Sequence, residues 1–307
     1  MEEKSRWKGF VLVVLGALFW GVGGTVAQRL FQEDHIPVEW LVSVRLVIAG
    51  LIMIFIALFT NSRDRTFRIW THKKAAIQLI IFGIFGMLAV QFTYMASIND
   101  GNAAVATLLQ YLAPVYIIIY LVITKANRLK KNDLIAVCLA IIGTFLLLTN
   151  GSFQELSVPL SAVIWGFLSG IALMFYTLYA NQLLQKWGSL NVIGWAMIVG
   201  GAALGLFYPP WNIDMSGWTV ETVFFLIFVI LFGTMFSFWF YLESLKYLYP
   251  QETSLLGSVE PLAAIVTSVV WLHIPFGIYQ VMGTALILVM VVVVSMPEKK
   301  RTVHVVH

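Results

Sequence analysis

The sequence predicts an all-α polytopic membrane protein of ten transmembrane helices, arranged as two inverted five-helix repeats. Three observations carry this prediction. First, the 307 residues are 60% hydrophobic and only 11% charged, with a mean hydropathy of +0.88. Soluble domains carry about 25% charged residues, so this chain cannot clothe a water-facing surface. Second, ten apolar stretches come close to the ~20 residues that a helix rising ~1.5 Å per residue needs to cross a bilayer. Third, lysine and arginine alternate from loop to loop, as they do in multi-pass proteins.

The first span covers 9–31. It follows a basic start, "KSRWKG", as a secretory leader would, but it runs too long and has no clear cleavage site, so it is predicted to remain as a helix. The next spans are 37–59, 75–98, 102–123 and 133–149, then 159–183, 189–208, 219–245, 250–272 and 275–296. Turn chemistry marks the breaks: "HIP" at 35–37, "NDGN" at 99–102, "NGS" at 150–152, "YPPWN" at 208–212, "YP" at 249–250 and "HIPFG" at 273–277.

Of the 19 basic residues, 17 fall on one side: three in residues 1–8, Arg63, Arg65, Arg68, Lys73 and Lys74 in one loop, Lys125, Arg128, Lys130 and Lys131 in another, then Lys186, Lys246, Lys299, Lys300 and Arg301. The other side holds Arg29 and a set of acids, Glu33, Asp34, Asp100, Glu155, Asp214 and Glu221. Both chain ends are therefore expected in the cytoplasm. The net charge of +4 is explained by this topology and calls for no nucleic-acid partner.

"FGMLAVQFTYMAS" at 85–97 aligns with "FGTMFSFWFYLES" at 232–244, and "TLLQYLAPVYII" at 107–118 aligns with "SLLGSVEPLAAI" at 254–265, all at one offset of 147. A Trp-Gly pair, Trp20-Gly21 and Trp165-Gly166, recurs at an offset of 145. The repeat divides the chain into 1–155, 156–297 and a tail, 298–307. Each half has an odd number of spans, so the second enters the membrane inverted. Two such halves can rock about a shared midplane site, which is the architecture of many secondary transporters.

Several stretches carry a family resemblance: "ALFWGVGGTVAQRL" at 17–30, "SVRLVIAGLIM" at 43–53, "AVATLLQYLAPVY" at 104–116, "VIWGFLSGIALMFYTLYAN" at 163–181, "FGTMFSFWFYLESLKYL" at 232–248 and "SLLGSVEPLAAIVTSVVWL" at 254–272. The chain resembles the EamA-type ten-helix carriers of the drug/metabolite transporter superfamily over almost its whole length. The resemblance implies a bacterial inner-membrane carrier, often an exporter of amino acids or other small metabolites, driven by protons or running as an exchanger. Where such carriers often have a glutamate at the ends of helices 4 and 9, this chain has Asn127 and Ile274. His273 is the titratable residue nearest to the second of these positions.

Polar residues within the spans are expensive in lipid and therefore informative. Glu260 falls near the midplane and must face a cavity, pair with a cation or be neutral. It is the candidate for substrate or proton chemistry, and it breaks the repeat, because Ala113 stands in the equivalent place. Pro261 removes the helix donor to the Gly257 carbonyl, and Pro114 does the same in the first half, so the two are candidate hinges. Arg45 remains charged at mid-depth and needs an acceptor. Three are open to it: backbone carbonyls of a kinked helix, Glu260, or a substrate carboxylate. Gln91 and Gln110, with the repeat-related Trp20, Trp165, Tyr94 and Tyr241, are candidate cavity residues. Trp7, Trp40, Trp70, Trp187, Trp211 and Trp218 lie at span ends and fit an interfacial belt. Gly21, Gly23, Gly24, Gly200, Gly201 and Gly205 are read as close-packing positions. Cys138 is expected to be a small buried hydrophobe, and one cysteine excludes an intrachain disulfide.

The expected function is secondary transport of a small metabolite such as an amino acid or amine. Drugs, purines and sugars are the other substrate classes open to this fold, in either direction. No nucleotide-binding glycine loop, metal-ligand cluster or nucleophile–base set is visible, so neither a cofactor nor an enzymatic activity is expected. The expected partners are the small-molecule substrate, protons and the bilayer; a monomer and a homodimer are both open.

Overall fold

The computed structural model describes residues 3–59, 63–126, 128–152 and 154–296. Asn127 and the predicted tail, 298–307, lie outside the described residues. Among the described residues, ten helices are long and apolar enough to cross a membrane: α1 (Arg6–Gln32), α2 (Val38–Leu58), α3 (Lys73–Asp100), α4 (Ala103–Ile123), α5 (Lys131–Thr149), α6 (Leu160–Trp187), α7 (Ser189–Phe207), α8 (Val220–Ser244), α9 (Glu252–Val270) and α10 (Ile278–Ser295). They match the ten expected spans to within a few residues at each end. Each short connection reverses the chain, so α1 begins and α10 ends on one face, here termed the tail face; the opposite side is the far face. A short helix, Arg63–Thr71, sits on the tail face. There Trp195 Nε1 donates to the Thr66 carbonyl at 2.8 Å, and Thr66 Oγ1 donates to Asn191 Oδ1 at 2.9 Å.

The packing partners reveal the repeat. α2 packs on α7 and α5 on α10; α3 packs on α6 as α1 does on α8; α4 packs on α6 as α1 does on α9. Exchanging the two halves, helix n for helix n+5, returns the same set of pairs. Five helices per half then make the relation an inverted one.

Two features depart from plain helical crossings. α3 and α8 each widen into a π-helical segment, Phe82–Leu88 and Leu231–Phe236, at repeat-equivalent positions around Phe85-Gly86 and Phe232-Gly233. In α8 the hydroxyls of Thr234 and Ser237 donate to carbonyls five residues back, Val229 at 2.9 Å and Phe232 at 2.6 Å. Wider turns of this kind collect at functional positions. α4 and α9 are each broken before their proline. α4 divides into Ala103–Gln110 and Ala113–Ile123, and α9 into Pro250–Gly257 and Val259–Val270. The far-face halves of α4 and α9 pack on each other. Beyond the breaks they part: Ala113–Ile123 follows α6 and α5, while Pro250–Gly257 follows α1 and α10.

Glycines set the closest approaches. A Cβ on Gly23 would lie 2.6 Å from the Gly233 Cα, so α1 and the π segment of α8 meet backbone to backbone. A Cβ on Gly21 would run into the Glu260 carbonyl oxygen of α9, and one on Gly201 would lie 2.9 Å from the Ser43 carbonyl oxygen of α2. The small-residue reading of α1 and α7 thus has specific partners.

Two expectations are corrected. Cys138 is exposed. It lies on the outer flank of α5 with Ile141 and Ile142, where apolar side chains face lipid at no cost, so an apolar sequence context did not imply burial. Trp187 is only 6% exposed and packs at 5.1 Å against the His72 ring, because the short helix on the tail face covers the end of α6. Trp7 and Trp211 do stand exposed at span ends, at 71% and 78%.

Candidate substrate site at the crossing of two broken helices

Glu260 is eight residues after Glu252 and ten before Val270, so it lies ~12–15 Å along the helix from the two ends of α9. It is half-buried. Its Oε2 lies 3.1 Å from the hydroxyl of Tyr111, at the break of α4. The same hydroxyl is 2.8 Å from the Gly257 carbonyl, the acceptor that Pro261 deprives of its helical donor. One side chain of α4 thus reaches both the carboxylate and the open carbonyl of α9.

Aromatic side chains surround this point. The Trp20 ring of α1 is 5.3 Å from Tyr241 and 4.9 Å from Phe238, both on α8. Tyr241 and Tyr94 are each near enough to Glu260 to feel its charge. Tyr94 is buried against Gly24 of α1 and shares a 2.8 Å hydrogen bond with Thr107. Among the described residues, no basic side chain forms an ion pair with Glu260.

Arg45 takes a different partner. It is 2% exposed, and its Nη2 donates to Gln91 Oε1 on α3. Its Nε is buried without an acceptor. Of the three acceptors open to Arg45 in the sequence, the Glu260 pair is not formed. A side-chain amide, which the sequence reading had placed in the cavity on its own account, stands there instead. Tyr94 is near enough to both charges to feel each.

The structure therefore brings Glu260, Tyr241, Trp20 and Tyr94 together and sets Arg45 and Gln91 beside them as a buried pair. Trp165 and Gln110 lie on the other flank. Trp165 of α6 packs edge-on against Phe92 of α3 at 5.7 Å, mirroring Trp20 against α8. Gln110 is buried one residue before Tyr111 and makes no side-chain hydrogen bond among the described residues. Pro114 and Pro261 sit just after the two breaks. Ile274 is remote, lining a far-face hollow of ≈ 390 Å³ with Asn102, Asn150 and Gln280.

Sequence reasoning missed Tyr111, although a tyrosine at a proline break facing its repeat partner is a usable signal. It also missed the polar seal at the far face. There Thr25 and Thr267 share a 2.7 Å hydrogen bond, and Gln28 Oε1 accepts from the Ala103 amide at 2.9 Å. Gln32 donates to the Gly101 carbonyl at 3.1 Å, and Ser97 to that of Ala162 at 2.8 Å. Outside this seal Arg29 pairs with Asp34 at 2.8 Å and with Glu33 and Glu221 at 3.3 Å, joining α1 to the start of α8.

The profile of the EamA-like transporter family matches twice, over residues 7–149 and 160–296. The chain belongs to the EamA-like transporter family. It is a multi-pass membrane transporter of that family, and similar proteins bear names of the same kind. It is 33% identical to the uncharacterized inner membrane transporter YicL of Salmonella typhimurium, over 97% of this chain and 98% of that protein. It is 26% identical to an uncharacterized transporter of Archaeoglobus fulgidus, over 68% of this chain and 73% of that one. A solved crystal structure of a protein with 15% identity superposes at a TM-score of 0.61, over 95% of this chain and 96% of the other, and shares the fold. The two EamA matches fall on either side of the connection between α5 and α6.

Proposed function

We propose that this EamA protein is a secondary carrier that exports a small amine-bearing metabolite, an amino acid or amine, across the bacterial inner membrane by alternating access. The observation that carries this reading is Glu260. It is a half-buried carboxylate at mid-depth, where two proline-broken helices cross, with aromatic rings around it and no basic partner among the described residues. An ammonium group fits such a place twice over, through the carboxylate and through the π faces of Trp20 and Tyr241. A carboxylate that binds substrate and proton in turn also supplies a means of coupling to the proton gradient.

The likeness to an inner-membrane transporter supports that membrane, and the loop charges support a tail face in the cytoplasm. The helices part toward that face and are sealed at the far face, which fits a site open to the cell interior. Purified protein in proteoliposomes, loaded with a metabolite panel and given a pH gradient of either sign, tests the reading. Efflux of one or more amines is expected, with loss of gradient-driven transport in Glu260→Gln. Undiminished gradient-driven transport by that variant would reject the role given to Glu260. Transport confined to neutral purines or sugars would reject the amine.

A further inference from the structure

Glu260 is only half of the arrangement at the crossing. A phenol has one hydrogen to give. Tyr111 has two acceptors for it, the Gly257 carbonyl at 2.8 Å and Glu260 Oε2 at 3.1 Å. The two acceptors are not equivalent. Gly257 O is a neutral carbonyl that has lost its helical donor to Pro261. Glu260 is a charged acceptor when ionised and a poorer one when it holds a proton, since hydrogen bonds to ionised groups are roughly twice as strong; a bound cation takes up part of the carboxylate's acceptor capacity.

The location gives this competition a mechanical meaning. Tyr111 follows the last residue of the Ala103–Gln110 segment, and Gly257 ends the Pro250–Gly257 segment. The Tyr111–Gly257 bond therefore joins the two breaks at the point beyond which α4 and α9 part. With it in place, the open end of α9 is tied to α4. When the proton swings to the carboxylate, that carbonyl is released and the tail-face half of α9 loses its link.

We propose that Tyr111 is the positioning residue of this carrier, a hydroxyl that turns its single O–H hydrogen bond between the Gly257 carbonyl and Glu260. The charge state of Glu260 thereby decides whether the tail-face half of α9 is tied to the break of α4. An ionised, empty Glu260 draws the hydrogen bond and frees the tail-face half of α9; a protonated or substrate-paired Glu260 returns it to Gly257 and ties that half down. The surroundings of Glu260 leave the exchange to Tyr111. α1 brings Trp20 and Gly21, which do not titrate. α3 brings Tyr94, itself near Arg45 of α2, and α8 brings Tyr241. At the tail-face end Arg6 pairs with Glu252 at 2.5 Å, Lys246 with Glu243 at 2.7 Å, and Lys8 stands over the Tyr247 ring at 5.1 Å. α10 carries no charged side chain, and Tyr279 is at its far-face end, packed on Gly151. The inference rests on the reading of Glu260 as the working carboxylate, and its test separates the two.

Spin labels at Ile119→Cys and Leu255→Cys, both 42% exposed on the tail-face halves, report the separation of α4 and α9 in full-length protein in nanodiscs, with Cys138→Ala as background. Electron–electron double resonance is recorded across a pH series without substrate. The wild-type distance distribution is expected to move with pH, and Glu260→Gln is expected to hold one distribution throughout. Tyr111→Phe should lose the response as Glu260→Gln does. Tyr111 replaced by 3-fluorotyrosine, a stronger donor of nearly the same size, should keep the response but displace its midpoint. A Tyr111→Phe protein that follows wild type while Glu260→Gln does not overturns the switch and leaves the Glu260 reading standing. So does a fluorotyrosine midpoint identical to wild type. A response that persists in Glu260→Gln, or is absent from wild type, overturns both.

Discussion

A buried guanidinium with a neutral partner shows how narrowly single residues are constrained here. Arg45 remains charged at any physiological pH, yet its Nη2 is bonded only to the Gln91 amide and its Nε to nothing among the described residues. Removing one partner of such a pair strands the charge, whereas replacing the charge itself relieves desolvation. Gln91→Leu is therefore expected to cost about 2 kcal/mol and Arg45→Met clearly less, with thermal unfolding in detergent giving the order. A lower melting temperature for Arg45→Met than for Gln91→Leu would contradict this account. The residues that sequence could find were those whose cost in lipid is intrinsic: Glu260, Arg45, Gln91 and Gln110 are conspicuous wherever they point. Tyr111 was not legible in this way. A tyrosine is inexpensive in a span, and its importance lies in a carbonyl 146 residues away. The partner of Arg45 was hidden for the same reason, because hydropathy gives the depth of a residue and nothing about its azimuth on the helix.

At the scale of the element, hydropathy located all ten helices, since length and apolarity are sums over many residues. Their interruptions were only half legible. Prolines announced the breaks in α4 and α9, but nothing in residue chemistry announced the widened turns in α3 and α8. The repeated Phe-Gly was visible only as an alignment. The glycine of the second such pair meets Gly23 backbone to backbone; a Cβ on Gly23 would lie 2.6 Å from the Gly233 Cα, and one on Gly233 3.1 Å from the Gly23 Cα. Gly23→Ala and Gly233→Ala are each expected to destabilise by ~1–3 kcal/mol, because the atom in the way is main chain. Gly217→Ala, with nothing within 4 Å of the added carbon, should melt like wild type. Equal melting temperatures for all three variants would show that α1 and α8 can move apart freely.

For the whole molecule, the exchange of halves makes a prediction about the state not seen. Contacts between Ala103–Gln110 and the Val259–Val270 half close the far face here. Their repeat images are contacts between Pro250–Gly257 and Ala113–Ile123, on the tail face. In the alternate state, cysteines at Leu255 and Ile119 should form a disulfide under oxidising conditions, in a yield that rises when substrate or pH shifts the population. A yield fixed under every condition would argue against rocking about the crossing. Sidedness is checked separately. On a Cys138→Ala background, Met215→Cys, 54% exposed on the far face, should react with membrane-impermeant maleimide in intact cells. The exposed Lys186→Cys on the tail face should react only after lysis. The reverse pattern would invert the topology assigned from the loop charges.

The matched pairings carry a thermodynamic consequence. If exchanging the halves returns the same scaffold, the two end states begin as a degenerate pair, with main-chain and packing energies that nearly cancel in the difference. What lifts the degeneracy is the handful of positions where the copies disagree. Several of them cluster at the crossing: Glu260 against Ala113, Tyr111 against Ser258, and Gly257 against Gln110. Ser258 Oγ is buried there without a partner, the silent image of the tyrosine hydroxyl. The resting bias of the carrier is thus a small number written in a few side chains. Under the switch proposed for Tyr111, one proton or one cation at Glu260 would change its sign.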